Sequence, residues 1–262
     1  MLKNSILYVS AKVKAFFKLP FMQRRAARYP GLFAFLRRRF ATENFFGFPF
    51  TFLLGLLVVN LFMLSEIAEN IVNSSQMKVV DGQIALWLYQ NRWAPVSIFL
   101  YCFTQLGSVS GVTIITLALV VFYSWRRKKA YLVALLLSVI GNGISVYATK
   151  IYFHRERPVN VSYYLVKSFS FPSGHSAAAI SLGGLACYFF MLDAKTNQVR
   201  RYWFYSGVIY ILLIGFSRIY LGVHFLSDVI AGYLLGALWA IVAVIVMEYQ
   251  ILNARKVRQK LY

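Results

Sequence analysis

Acidic residues are scarce in this chain: eight Asp and Glu stand against 28 Lys and Arg among 262 residues. The few carboxylates are scattered, so they offer no cluster of the kind a hard divalent cation needs, and neither a metal nor another cofactor is expected. Cysteine is scarcer still. Cys102 and Cys187 each sit inside an apolar run, which excludes a disulfide framework and the paired clusters of a zinc or iron–sulfur site. The chain also lacks an internal repeat, a low-complexity tract and a Gly/Ser linker, so collagen-like and repeat folds are excluded and a second folded domain is not expected. Residues 1–43 hold no run of apolar residues ahead of a small-residue cleavage site, and no signal peptide is expected there. The formal charge of +20 raises nucleic acid as a partner, yet the cations fall in blocks between long uncharged stretches rather than along a polar stripe, and nucleic acid is not expected.

What is present is apolar surface: 60% of residues are hydrophobic and 14% charged, with 23 Phe and 18 Tyr. These figures exclude disorder and an ordinary soluble domain and indicate a membrane protein. Six stretches carry no Lys, Arg, Asp or Glu: Asn44–Ser65, Trp93–Trp125, Ala130–Thr149, Ser168–Leu192, Tyr202–Ser217 and Val229–Met247. Roughly 20 apolar residues span a bilayer. The second stretch, 33 residues long, is too long for one span; Pro95 and the Gly107–Gly111 break divide it into a short interfacial helix at 93–106 and a span at 109–125. The fifth, at 16 residues, is short but continues through Ile219–Gly222. The expected fold is therefore all-α, a polytopic membrane helix bundle with six transmembrane helices.

Short cytoplasmic loops collect Lys and Arg. With six spans both ends lie on one side. Together with the 126–129 and 193–201 loops, residues 1–43 and the tail from Glu248 hold 21 basic against three acidic residues; the opposite side holds seven against five. Both termini are accordingly expected in the cytoplasm, with the 150–167 and 218–228 segments outside. The expected organisation is a basic N-terminal segment 1–43, a membrane domain 44–250 and a basic tail 251–262. Segments such as Leu32–Arg39 mix bulky apolar and basic residues, as do segments lying on an anionic leaflet, although topogenic charge alone accounts for them equally well.

The outer side gathers the chemistry: Lys150, Arg155 and Arg157 in KIYFHRERP, Ser173, Gly174 and His175 in FPSGHS, and Arg218, His224 and Asp228 in SRIYLGVHFLSD. Ionisable groups at membrane depth default to a functional reading. Lys and Arg donate to phosphate oxygens, a Ser beside a Gly lets backbone N–H groups approach the same anion, and a helix starting near His175 adds its dipole. Asp228 lies four residues after His224, so a helix from Phe225 lets the carboxylate take the Nδ1 proton and leaves Nε2 as a nucleophile. Arg218, six residues before His224, needs a turn near Gly222 to reach it. His175 then suits the general acid, since one imidazole cannot attack phosphorus and protonate the leaving oxygen in the same step.

Lys150 with Arg157-Pro158 reads K-x6-R-P, Pro172–His175 reads P-S-G-H, and Ser217–Asp228 reads S-R-x5-H-x3-D. In that order the three resemble the signature motifs of the type 2 phosphatidic acid phosphatase family. The resemblance implies that Lys150, Arg157, Ser173, Gly174 and Arg218 bind a phosphoryl group. It makes His224 the nucleophile, Asp228 its orienting partner and His175 the acid on the leaving lipid oxygen, with no metal. It further implies a lipid phosphatase at the outer face of the cytoplasmic membrane, its substrate a lipid phosphate or diphosphate such as undecaprenyl diphosphate, phosphatidylglycerophosphate or phosphatidic acid. A phosphotransferase passing the phosphohistidine to a lipid or sugar hydroxyl uses the same residues, and a non-catalytic anion-binding membrane protein uses the cations alone. The motifs also resemble those of the soluble vanadium haloperoxidases, which the six hydrophobic stretches argue against.

Other residues have plainer readings. His154 is expected to make a polar contact between helices, Arg155 and Glu156 to form a solvated interfacial pair, and Lys167 to be a surface charge. Pro172 is read as ending a loop before a helix. Trp93, Tyr152, Tyr163 and Tyr164 are read as an interfacial belt. With Cys102 and Cys187 replaced, a membrane-impermeant maleimide should label a cysteine placed at Val159 in intact cells and one placed at Gln198 only after lysis; the reverse pattern inverts the topology.

Overall fold

The computed structural model describes residue 12, residues 15–41 and residues 45–260, with side chains as far as residue 254. The expected basic segment thus lies outside the described residues at 1–11, 13–14 and 42–43, as does Asn44 of the first expected span, and so do the side chains of the tail from 255 onward. Among the described residues all regular structure is helical. In chain order the helices are α1 (Pro20–Arg28), α2 (Pro30–Arg39), α3 (Phe48–Asn73), α4 (Ser75–Gln90), α5 (Ala94–Thr104), α6 (Val109–Trp125) and α7 (Lys129–Phe153). After them come α8 (Gly174–Asp193), α9 (Asn197–Tyr220) and α10 (Leu226–Lys260).

Prolines and small polar residues punctuate the chain as local sterics require. Pro20, Pro30, Pro49 and Pro95 all occupy first turns, where the missing N–H is not needed, and the remaining two, Pro158 and Pro172, lie in one loop. Ser74, Ser108, Ser173 and Thr196 are N-caps whose hydroxyls accept from backbone N–H groups in the first turn.

Five helical segments are long and apolar enough to cross a bilayer: α3, α7, α8, α9 and α10 over Leu226–Ala254. Ala94–Gly107 and α6, bent by 51° at the expected break, provide a sixth crossing when taken as a pair. Ile114, Val121, Ile144 and Ile209 stand exposed on these helices, a surface suited to lipid rather than water. Between the first two expected spans lies α4, which Ser74 caps and which buries Ala85 and Leu88. One expectation is corrected: the fourth span begins at Gly174 rather than Ser168, because the backbone carbonyls of residues 168–170 accept from Lys150 and Arg157 instead of from a helix ladder.

Two compact units divide the chain, Met1–Val59 and Asn60–Tyr262, with α3 running across the division. In the first, Arg25, Arg28 and Arg39 lie over the rings of Phe21, Tyr29 and Phe35, and all three rings are exposed. In the second, the spans meet through small residues and polar staples, which is how helices associate where lipid and side chains are equally apolar. Ser138 donates to the carbonyl of Ser181 at 2.8 Å, Trp239 Nε1 to Ser145 Oγ at 3.0 Å and Tyr233 to the carbonyl of Ile211 at 2.6 Å. Gly232 and Gly236, one turn apart on α10, meet the backbone of Ser173 and Ala177 on the start of α8. A π turn at Ala179–Gly184 follows.

A branched side chain at Gly236 must push against the Ala177 carbonyl, backbone that cannot yield. Gly236→Val should lower the melting temperature in detergent, at a cost of about 1–3 kcal/mol typical of overpacking. Gly82→Ala, where nothing lies within 4 Å of the added methyl, should leave it unchanged or slightly raised.

Candidate active site

The site is assembled from three chain segments. Lys150, in the last turn of α7, donates from Nζ to the carbonyl of Phe169 and, at 3.4 Å, to that of Ser170. The loop that follows carries Arg157, whose Nε donates to the Ser168 carbonyl at 2.7 Å and Nη2 to the Phe169 carbonyl at 3.2 Å. The P-S-G-H segment opens α8. Arg218 ends α9, and the expected turn follows: Gly222 has φ +67°, and the N–H groups of Val223 and His224 both reach the Arg218 carbonyl at 3.2 Å. Asp228 lies in the first turn of α10 and accepts from the Phe225 N–H at 2.9 Å, which fixes where that helix starts.

These segments surround a cavity of about 430 Å³. Lys150, Arg157, Gly174, His175, Arg218 and His224 line it together. Ser173 and Asp228 do not: both are fully buried behind it. The Ser173 hydroxyl is an N-cap, accepting from the Ser176 hydroxyl at 2.9 Å and from the Ser176 N–H.

His224 is held from both ring nitrogens. Arg157 Nη1 lies 3.1 Å from Nε2; a guanidinium only donates, so Nε2 accepts and the ring proton is assigned to Nδ1. Nδ1 lies 3.6 Å from Asp228 Oδ2 and 3.4 Å from Ser170 Oγ. Ser170 in turn donates to Asp228 Oδ2. The direct His–Asp hydrogen bond expected from the i, i+4 spacing is thus longer than a hydrogen bond, and a serine hydroxyl stands beside it, in contact with both partners. Burial, followed by the charges of Arg157, Arg218 and Lys150, pushes the His224 imidazole well below its usual range, so it is neutral at neutral pH. Burial and Arg218 bring Arg157 down to about 10, where it remains a cation.

Sequence reasoning missed several residues. Arg218 is 1% exposed and donates from Nη1 to Tyr164 at 2.6 Å and to Thr104 at 3.1 Å. Tyr164 is therefore a partner of the site and not part of the interfacial belt, whereas Trp93, Tyr152 and Tyr163 are exposed as expected. Nothing marks Thr104 in its apolar run. Arg155 is not a solvated partner of Glu156: it is largely buried between Asp81 and Asp228. Its position inside K-x6-R-P at membrane depth is the signal that pointed to it. His154 makes no contact between helices; it ends α7 in the left-handed conformation at φ 47°, with its ring against Phe169.

Residues 128–252, a stretch that holds every charged residue of the cavity, match the family model described as PAP2 superfamily. The chain is 40% identical over 91 residues to phosphatidylglycerophosphatase B of Bacillus subtilis (strain 168), a match covering 34% of this chain and 44% of that protein, less than half its length. It is 32% identical over 189 residues to lipid A 4'-phosphatase of Porphyromonas gingivalis, covering 65% of this chain and 69% of that protein. The fold is similar to the crystal structure of a transmembrane PAP2 type phosphatidylglycerolphosphate phosphatase from Bacillus subtilis, with a TM-score of 0.64 and 26% identity over 71% of this chain and 93% of that one. By sequence over two thirds of one relative and by fold over nearly all of another, this multi-pass membrane protein belongs to the PAP2 superfamily.

Proposed function

We propose that this membrane phosphatase removes the terminal phosphate of a lipid phosphate or diphosphate through a phosphohistidine at His224, at the outer face of the cytoplasmic membrane. The observation that carries the reading is the mixed lining of the cavity. Lys150, Arg157, Arg218, His175 and His224 line it together with Val109, Val112, Val139, Val146 and Ala178. The charged groups suit a phosphoryl group and the apolar ones an acyl or prenyl chain. The relatives named for phosphatidylglycerophosphate and lipid A have a lipid phosphate in common and little else, which supports the class of substrate.

The geometry supports the following steps. The phosphoryl oxygens take up the donors of Lys150, Arg157 and Arg218, and the N–H groups at Gly174 add the end of a helix. Arg157 shifts from Nε2 to the phosphate and frees the lone pair. His224 Nε2 attacks phosphorus, the N–P bond forms, and the P–O bond to the lipid breaks. His175 passes its proton to the departing oxygen and then takes one from the water that hydrolyses the phosphohistidine. The ring proton stays on Nδ1, where Ser170 and Asp228 stabilise the positive charge that develops. Catalysis is positioning plus preorganised cationic stabilisation of the charge on phosphorus. The bias of basic residues to one side supports cytoplasmic termini and an outward site, and the basic pairs of α1 and α2 suit the anionic cytoplasmic leaflet.

Protein purified in detergent, assayed with chelator on undecaprenyl diphosphate, phosphatidylglycerophosphate, phosphatidic acid and a water-soluble monophosphate, should release phosphate from at least one lipid. His224→Ala and His175→Ala should each lower that rate by about a thousandfold or more while leaving the protein folded. Substantial turnover by His224→Ala rejects the nucleophile; product analysis showing phosphate on a hydroxyl acceptor instead of in solution makes the enzyme a transferase. Because burial and three cations disfavour the imidazolium, the nucleophile stays unprotonated in acid, and the acid limb of kcat/KM due to His224 should lie below pH 6.5, the ordinary imidazole value. A limb above that value contradicts the electrostatics of the site.

A further inference from the structure

Arg155 belongs to none of the signature positions, yet its guanidinium is ion-paired with two carboxylates. Its Nη1 donates to Asp228 Oδ1 at 2.6 Å and to Ser227 Oγ at 2.7 Å, and its Nη2 to Asp81 Oδ2 at 2.7 Å. The guanidinium carbon lies 4.6 Å from the centre of the Phe225 ring. Asp81, 3% exposed on α4, accepts again from the Ser227 N–H at 3.2 Å and from the Ser227 hydroxyl. One buried arginine therefore bridges two buried carboxylates that lie 147 positions apart in the sequence, Asp81 and Asp228.

This brace acts on the half of Asp228 that faces away from the histidine. Oδ2 serves Ser170, the Phe225 N–H and the His224 side. Oδ1, fully buried, is satisfied by Arg155. Without that partner the carboxyl is left with an unpaired buried oxygen and no anchor on the side away from the ring. A carboxylate turned from the ring no longer favours the hydrogen of the imidazole on Nδ1, and the competing tautomer puts it on the attacking nitrogen. Arg155 without Asp81 would be a largely buried cation with one carboxylate; Asp81 supplies the second and ties the pair to α4. Neither Asp81 nor Arg155 lines the cavity of the reacting groups.

We propose that Asp81 and Arg155 are positioning residues of the reaction, which hold Asp228 oriented so that His224 keeps its proton on Nδ1. The inference rests on the reading of His224 as nucleophile. It also makes α4 a working part of a site whose family match begins only at residue 128. The groups facing Asp228 are Arg155 and Ser170 from the loop, and His224 and the Phe225 N–H from the turn before its own helix. Lys150 of α7 and Arg157 add positive charge nearby.

The test compares the wild type with Arg155→Met, Arg155→Lys, Asp81→Asn and the double variant Arg155→Met/Asp81→Asn, on the best substrate of the panel above. Arg155→Met should lower kcat by about tenfold or more with KM within about twofold. Arg155→Lys should recover part of the rate, and Asp81→Asn should show a smaller loss of kcat. If the two charges merely satisfy each other, the double variant regains wild-type kcat; if they position Asp228, it stays as slow as Arg155→Met. A double variant at wild-type rate, or an Arg155→Met enzyme with unchanged kcat, overturns the proposal.

A readout independent of turnover separates this inference from the reading beneath it. The chain has three histidines, so ring-¹⁵N spectra of histidine-labelled protein assign His224 by difference from His224→Ala. The proton should sit on Nδ1 in the wild type and be shared with Nε2 in Arg155→Met; an unmoved tautomer rejects the brace whether or not His224 proves to be the nucleophile. Activity that survives His224→Ala rejects the nucleophile and leaves the tautomer result to stand alone. Should Arg155→Met fail to fold, Arg155→Lys and Asp81→Asn carry the same measurements.

Discussion

Three cations gathered around one cavity repel one another, and the groups packed about them are arranged to tolerate that. The compensation is mostly neutral. Lys150 and Arg157 are tied to the carbonyls of Ser168, Phe169, Ser170 and Val223, and Arg218 to the hydroxyls of Thr104 and Tyr164. Carbonyl and hydroxyl dipoles hold a guanidinium in place without cancelling its charge, which a carboxylate would do. The cavity therefore stays electropositive and ready for an anion. Two ion-paired carboxylates, Asp81 and Asp228, are set behind the cavity on Arg155.

This division explains the loop of residues 154–173. It has no regular structure because its carbonyls are spent on cations instead of on a helix ladder. It is pinned at intervals by the Ser170 N–H on the Arg155 carbonyl, the Tyr163 N–H on that of Leu221 and the Ser173 N–H on that of Asp228. From the opposite side, Arg92 Nη2 donates to the carbonyl of Val161 at 2.7 Å. Small residues let the supporting helices close in behind it: Gly232 and Gly236 bring α10 against the start of α8, and Gly107, at the bend before α6, packs on the His175 side chain.

Much of this was legible in the sequence for a reason that can be stated. Long uncharged stretches have few folds open to them in a bilayer, so the spans, the break at Gly107–Gly111 and the turn at Gly222 could be placed from composition and from one residue's backbone freedom. Ionisable residues inside such a chain are conspicuous, and Lys150, Arg157, His175, Arg218 and His224 were found that way. The failures concern residues whose role is set by distant partners. Nothing in the sequence marked Asp81, because its partners lie 74 and 146 positions away. Tyr164 was indistinguishable from the exposed aromatics beside it. Ser173 was placed on the phosphate by its motif, whereas its hydroxyl serves the helix that the motif begins. Ser170, two positions ahead of that motif, was not singled out at all, and it stands between the histidine and the carboxylate.

Asp228 carries a consequence of a different kind. One residue's atoms cap the first turn of the longest helix, anchor the loop through its backbone carbonyl, neutralise Arg155 and face the imidazole. Chemistry and architecture are therefore not separable at this position. An Ala there removes the acceptor of the Phe225 N–H, the acceptor of the Ser170 hydroxyl and one of the two carboxylates of Arg155 in the same stroke, so a dead variant at 228 measures the integrity of the scaffold as much as any step of turnover. The residues that can report on the step alone are those, such as His224, whose partners outlive their removal.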